Sequence, residues 1–263
     1  MPKIHTSIIL GIVSLALVAA FLVPPIPQDV DYHIFADQRD AYGIPNAFDV
    51  LSNVPFIIVG LLGLKLLAGG VGTGGLPALL WHYRIFFLGV LFTGVGSAYY
   101  HWRPDNATLF WDRLPMTISF TAFFSFLVGE SISVRLGRAI LLPLLVLGIG
   151  SASYWYWTEM SDSGDLRFYL LVQFLPMVLT PYILWFFPSA LTEKSWLWWL
   201  TCFYVLAKLF EMTDHFWFDL TGMVSGHTLK HLAAAVATYC MYLALCHRQV
   251  RPSEIRRKMT YID

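Results

Sequence analysis

Charge is what this 263-residue sequence has least of. Lys, Arg, Asp and Glu together make up 13% of it, where a soluble domain carries about 25%. With 57% hydrophobic residues beside so few charges, too little polar surface is left to coat a water-soluble protein of this size. That excludes a soluble enzyme and a disordered tail. Excess charge of one sign is missing too: 17 basic and 17 acidic residues give a net charge of zero. No basic field exists to hold phosphates, so nucleic acid is excluded as a partner. Cysteine is scarce. Cys202, Cys240 and Cys246 lie inside apolar stretches and form neither a disulfide framework nor a CxxC metal pair. Strand-period alternation is absent, which excludes a membrane β-barrel.

What is present is a series of long apolar runs. A membrane helix needs about 20 mostly apolar residues. Such runs fall at roughly 6–24, 48–69, 82–101, 109–130, 137–157, 166–187, 195–213 and 228–246. Short connections join them, marked by Pro24-Pro25-Ile26-Pro27, Gly69 to Gly75 and Pro104. The fold class expected is an all-α, multi-pass integral membrane protein: a seven-helix bundle over 28–247, an additional N-terminal transmembrane helix over 1–27, and a basic cytoplasmic tail over 248–263. The first run has the Lys3, apolar core and Val18-Ala19-Ala20 of a signal peptide. Its apolar stretch continues to Val23, which favours a retained helix that acts as a signal anchor.

Orientation follows from Lys and Arg. With a cytoplasmic N-terminus, the inside segments hold Lys3, Arg84, Arg135, Arg138, Lys194, Arg248, Arg251, Arg256, Arg257 and Lys258. The outside loops hold only Arg39, Arg103 and Arg167, and they are acidic, with Asp29, Asp31, Asp37 and Asp40 in one and Glu159, Asp162 and Asp165 in another.

Ionisable groups inside a membrane span are costly, so each is a default functional hypothesis. Three groups stand out. Ser97 and His101 close the third run, one helical turn apart and hence on one face. Asp112 opens the fourth. His227 and His231 open the eighth, also at i and i+4. The third run ends outside and the fourth and eighth begin there, so all three groups converge near the extracytoplasmic leaflet. Two histidines at this spacing plus a third from another helix make a three-nitrogen set with a fourth tetrahedral position left for water, the arrangement of catalytic zinc. Asp112 can accept and return protons, and Ser97 can donate to a developing oxyanion.

Blander readings exist for each residue alone. An HxxxH pair is weak evidence of metal, Ser97 suits helix packing, and Asp112 suits a cap or a pair with Arg113. Their common depth raises a metal site above these. His5, His33, His82 and His247, at run ends or in loops, read as interfacial. His215, near Glu211 and Asp214, is a supporting or alternative ligand. The ten Trp and thirteen Tyr read mostly as an aromatic belt.

Gly96-Ser97-Ala98-Tyr99-Tyr100-His101, then Asp112-Arg113-Leu114-Pro115-Met116, then His227-Thr228-Leu229-Lys230-His231 resembles the alkaline ceramidases, part of a wider superfamily of seven-helix membrane proteins that includes the progestin and adiponectin receptors. Asn46-Ala47-Phe48-Asp49-Val50-Leu51-Ser52-Asn53 is similar to the segment that opens that family's first helix. The resemblance covers about residues 30–246. It implies zinc on His101, His227 and His231, Asp112 as general base and acid, Ser97 assisting, and a zinc-activated water attacking the amide of an N-acyl lipid such as ceramide. It also implies calcium in an acidic loop before the first family helix. There the chain departs: it offers Asp37, Asp40 and Asp49, but Asn46 stands at a position resembling an acidic family residue, which counts against calcium.

The leading expectation is therefore a zinc-dependent amidohydrolase acting on a membrane lipid. The alternative is a receptor-like seven-helix protein with a structural zinc. A transporter is disfavoured, because no span centre carries a chain of acidic groups or a pair of broken helices.

Overall fold

The computed structural model describes residues 3–72 and 74–252. Among them the chain is helical, with two isolated β-bridges and no strand. α1 (Lys3–Leu22) stops before the proline run, whose rings cannot continue a helix. α2 (Ala47–Leu51) and α3 (Val54–Leu66) form one span with a break at Ser52-Asn53. The break has a local cause: the Ser52 hydroxyl and the Asn53 amide both donate to the Asp49 carbonyl, at 3.0 and 2.8 Å, in competition with helical backbone bonds. α4 (Leu80–Trp102) follows Pro77. α5 (Asn106–Ser131) starts on a capping box, in which the Asp105 carboxylate accepts from the Thr108 amide at 2.7 Å and the Thr108 hydroxyl accepts from the Asp105 amide at 3.1 Å.

α6 (Val134–Met160) and α10 (Gly226–His247) begin on serine caps, Ser133 and Ser225. α7 (Arg167–Phe186), α8 (Ser195–Met212) and the short α9 (Asp214–Thr221) lie between them. Just ahead of α7, hydrogen bonds from Arg167 hold the Asp165 carboxyl below the usual carboxylate range.

Seven segments are long and apolar enough to cross a membrane: α1, the α2–α3 pair, α4, α5, α6, α7 and α10. α8 completes the eight runs read from the sequence; its last turns carry Lys208 and Glu211. The boundaries move outward by a few residues where polar caps precede the apolar run, as at Asn106 in front of Leu109. α9 lies where the sequence reading placed only a connection. The tail expected over 248–263 is described as far as Pro252; residues 253–263 lie outside the described residues.

α5 is the axis of the bundle. It packs on α4, α6 and α7, while α10 bridges α8 and α3 and so closes the ring. Two-thirds of its most apolar stretch is buried (67%), against 6% for α1, which leans on the outside of α7 through His5. His5 Nδ1 lies 2.8 Å from the Tyr182 hydroxyl, and its ring stacks on Phe186. α1 is thus an addition to the bundle and not part of its core. α4 and α5 approach closely because Gly96 lies against the Trp111 carbonyl, where any Cβ would collide.

One end of the bundle is clamped by a buried fork. Arg248 Nη1 and Nη2 donate to the Glu130 carboxylate at 2.8 and 3.0 Å, and the Tyr83 hydroxyl adds a third bond at 2.8 Å. His5, the Phe186 end of α7, the Leu191–Val250 bridge and this clamp share that end. The first and last described residues therefore lie on the same side of the bundle. The C-terminus of α4 and the N-termini of α5 and α10 lie on the other.

Candidate metal centre

The close approach at Gly96 sets the site. It brings the last turns of α4 against the first turns of α5, and Ser97 and His101, one turn apart, both turn inward and are buried. Asp112 is buried on the facing helix, and Ser97 and Asp112 line the same cavity. The cap of α5 is Asp105, so Asp112 is not the cap, and no ion pair joins it to Arg113 among the described residues.

α10 delivers the other two histidines. Its first turn is held from two directions. The Asp214 carboxylate accepts from the His227 amide at 2.7 Å and from the Ala36 amide at 2.9 Å. The buried Asp49 carboxylate accepts from the Thr228 hydroxyl at 2.7 Å. So fixed, His227 and His231 project toward His101. The three ring centroids form a nearly equilateral triangle with sides of 4.7, 4.8 and 4.8 Å. His101 Nε2 and His227 Nε2 are 3.2 Å apart. Two nitrogens at about 2.0–2.1 Å from one tetrahedral zinc lie about 3.3 Å apart, so the spacing suits a shared ion. Each of the three offers a nitrogen within 4.8 Å of the others, and all three are buried.

The surroundings fit a metal. Ser52 Oγ donates to the Asp49 carbonyl and lies 2.8 Å from His231 Nδ1. A hydroxyl has one hydrogen, so Ser52 accepts from His231 Nδ1–H and leaves the Nε2 lone pair free. Asn46 Nδ2 donates to the His101 carbonyl at 2.9 Å, and the Phe35 ring covers both His101 and His227, at 4.6 and 4.7 Å. Lys230 Nζ lies 3.1 Å from His227 Nε2 and 2.9 Å from Glu211, which also pairs with Lys208. His231 thus turns an Nε2 lone pair toward the group, Lys230 Nζ is placed to donate to His227 Nε2, and His101 Nδ1 is buried without a hydrogen-bond partner.

A cavity of about 400 Å³ adjoins this cluster. Ser97, Asp112, Glu211, Lys230 and His231 line one part. Phe56, Phe86, Phe123, Leu200 and Ala237 make the deeper walls, and Gln28 and Tyr32 come in from the loop after α1.

His101, His227, His231, Asp112 and Ser97 thus come together as the sequence pattern indicated. His215 does not: it is exposed on α9 and lies outside the histidine group, although it lines a second pocket together with His227. His82 departs from the interfacial reading, being buried with Nε2 at 3.3 Å from the Gly137 carbonyl. Of the residues weighed for calcium, Asp37 pairs with Arg39 at 2.7 Å, Asp49 Oδ1 accepts from Thr228 while its Oδ2 is buried without a partner, and Asn46 donates to the His101 carbonyl. The supporting roles of Ser52, Asp49 and Asp214 were not readable from spacing, since each acts on a residue far away in the chain. No protein-family model matches the sequence, and no curated protein matches it.

Proposed function

We propose that the chain is a metal-dependent membrane hydrolase that cleaves the amide bond of an N-acyl lipid such as ceramide, releasing a fatty acid and an amine. One observation carries this reading: three buried histidines, a carboxyl group and a hydroxyl meet beside an apolar cavity. Its volume lies within the range of about 300–1,000 Å³ of small-molecule sites. His101, His227 and His231 would hold the ion, and zinc suits three nitrogens with a fourth position open. When bound, the ion supplies a lowered pKa for water and a Lewis acid for the carbonyl.

The remaining work falls to the chain. Asp112 takes a proton from the attacking water as the new C–O bond forms, and returns it to the amine nitrogen as the C–N bond breaks. One water is consumed and no electrons are exchanged. Ser97 has one hydrogen to donate. It lies on the same cavity wall as Asp112 and donates that hydrogen to the developing oxyanion. The apolar walls hold an acyl chain and keep bulk water out. With the basic residues inside, the site works near the extracytoplasmic leaflet.

The receptor-like alternative calls for a closed four-ligand site without a cavity. Among the described residues three ligands come together, and a cavity adjoins them, which favours the hydrolase. The test is lipid mass spectrometry after incubating purified protein with mixed N-acyl and O-acyl lipids, with and without chelator. Release of fatty acid from N-acyl lipids that stops with chelator is the expected result. A protein that keeps its metal and hydrolyses none of them is a receptor-like protein instead.

A further inference from the structure

Arg113 is the buried charge that this chemistry leaves unused. It follows Asp112 on α5, is 5% exposed and lines the same cavity. Its Nη2 donates to the Gln28 side-chain oxygen at 2.6 Å. The rings of Trp155, Tyr169 and Tyr32 surround the guanidinium at 4.2, 4.9 and 5.5 Å. Its Nη1 is buried without a hydrogen-bond partner. No carboxylate lies within ion-pair distance among the described residues, whereas the other deeply buried arginine, Arg248, is forked onto Glu130.

A guanidinium cannot shed its charge by deprotonation. Ring faces and a neutral amide offset the loss of water only in part, and leave one cation and one N–H without a match. The carboxylates that line the cavity do not pair with it: Asp112 lies about 100° round the helix, Glu211 is paired with Lys208 and Lys230, and Asp29 accepts from the Asp31 amide. The cavity therefore holds half of an ion pair.

We propose that Arg113 recognises the headgroup and takes the carboxylate of an N-acyl amino acid, so that anionic N-acyl lipids are preferred to neutral ones; this rests on the hydrolase reading. A planar carboxylate matches the guanidinium fork. In an N-acyl amino acid it sits two bonds beyond the amide nitrogen, which suits consecutive residues lining one cavity, with Asp112 at the amide and Arg113 at the acid. A phosphate-bearing head would be bulkier and further from the amide.

The test compares N-oleoylglycine with N-oleoylethanolamine, which share an acyl chain and differ at the carboxylate. The expected result for wild type is a kcat/KM ratio of at least about 10 in favour of the glycine conjugate, since a charge-assisted bond contributes about 1.5–3 kcal/mol, or roughly 10- to 100-fold. Arg113→Gln should lower the ratio by that factor. Because Arg113→Gln can fail to fold, Gln28→Glu is the second variant. It gives the guanidinium an internal carboxylate and should remove the preference while keeping the fold. Equal turnover of both lipids, preference for the ethanolamide, or a preference that survives both substitutions overturns the proposal. If no N-acyl lipid is hydrolysed, the hydrolase reading falls and the carboxylate site is judged by thermal shift. A larger rise in melting temperature with N-oleoylglycine than with N-oleoylethanolamine, lost in Gln28→Glu, supports it; equal rises overturn it.

Discussion

The Ser52 hydroxyl lies 2.8 Å from His231 Nδ1, and the two residues are 179 positions apart. Since Ser52 also donates to the Asp49 carbonyl, it fixes the imidazole tautomer and turns the Nε2 lone pair toward His101 and His227. The break between α2 and α3 that frees Ser52 from a regular helix thus helps to orient a ring on α10.

Metal content should follow this arrangement. His101→Ala and His227→Ala each remove a ligand, and purified protein should carry little zinc by elemental analysis. Ser52→Ala keeps all three ligands and should still bind zinc, with affinity lowered about 10- to 100-fold, as for other partners of metal-bound histidines. Zinc affinity equal to wild type in Ser52→Ala would show that the tautomer is set elsewhere.

The Glu130–Arg248 fork should matter for stability and not for chemistry, because it lies at the end of the bundle away from the histidines. Glu130→Gln leaves a buried guanidinium without its counter-ion and should cost about 3–5 kcal/mol. Replacing both partners, as Glu130→Leu with Arg248→Met, should recover much of that loss. Thermal unfolding in detergent measures both. A double variant as unstable as the single one would mean that the fork is needed for more than charge balance.

The spans were legible because apolar length is a property of the chain alone, and most of the site was legible because Ser97/His101 and His227/His231 each share a helix face. Convergence of α4, α5 and α10 followed from alternating direction. α9 was missed since eight residues of mixed polarity have no membrane-length signal. Asp49, Ser52 and Asp214 were missed since hydrogen bonds between distant segments leave no periodicity. Arg113 was visible as a charge inside a span, but its lack of a counter-ion is a fact of packing.

Orientation is open to a direct measurement. Both described chain ends lie on one side of the bundle, and Lys and Arg are concentrated there. A C-terminal reporter should therefore be cytoplasmic. A cysteine placed at exposed Tyr42, in the loop at the site end, should react with a membrane-impermeant reagent added outside cells. Labelling at Tyr42 only after the cells are opened would reverse the orientation and move the site to the inner leaflet.

The separation between holding a metal and using it gives the sharpest prediction. Asp112→Asn keeps the size of the side chain, but it cannot carry a proton between water and the leaving amine. Asp112 is not one of the three converging ligands, so this variant should retain most of its zinc. Its turnover should fall by about 10²–10⁴, the usual contribution of a general acid–base. Ser97→Ala should also retain zinc. Its loss should be about 10²–10³ if Ser97 is a principal oxyanion donor, and smaller if other donors share the work. His227→Ala differs in kind, losing activity together with the ion, and added zinc should restore neither. The assay is metal content beside lipid-amide hydrolysis for each variant. Full hydrolysis by a zinc-loaded Asp112→Asn protein would make Asp112 a packing residue, and the proton would have to travel by another group, such as Glu211, a carboxylate lining the same cavity.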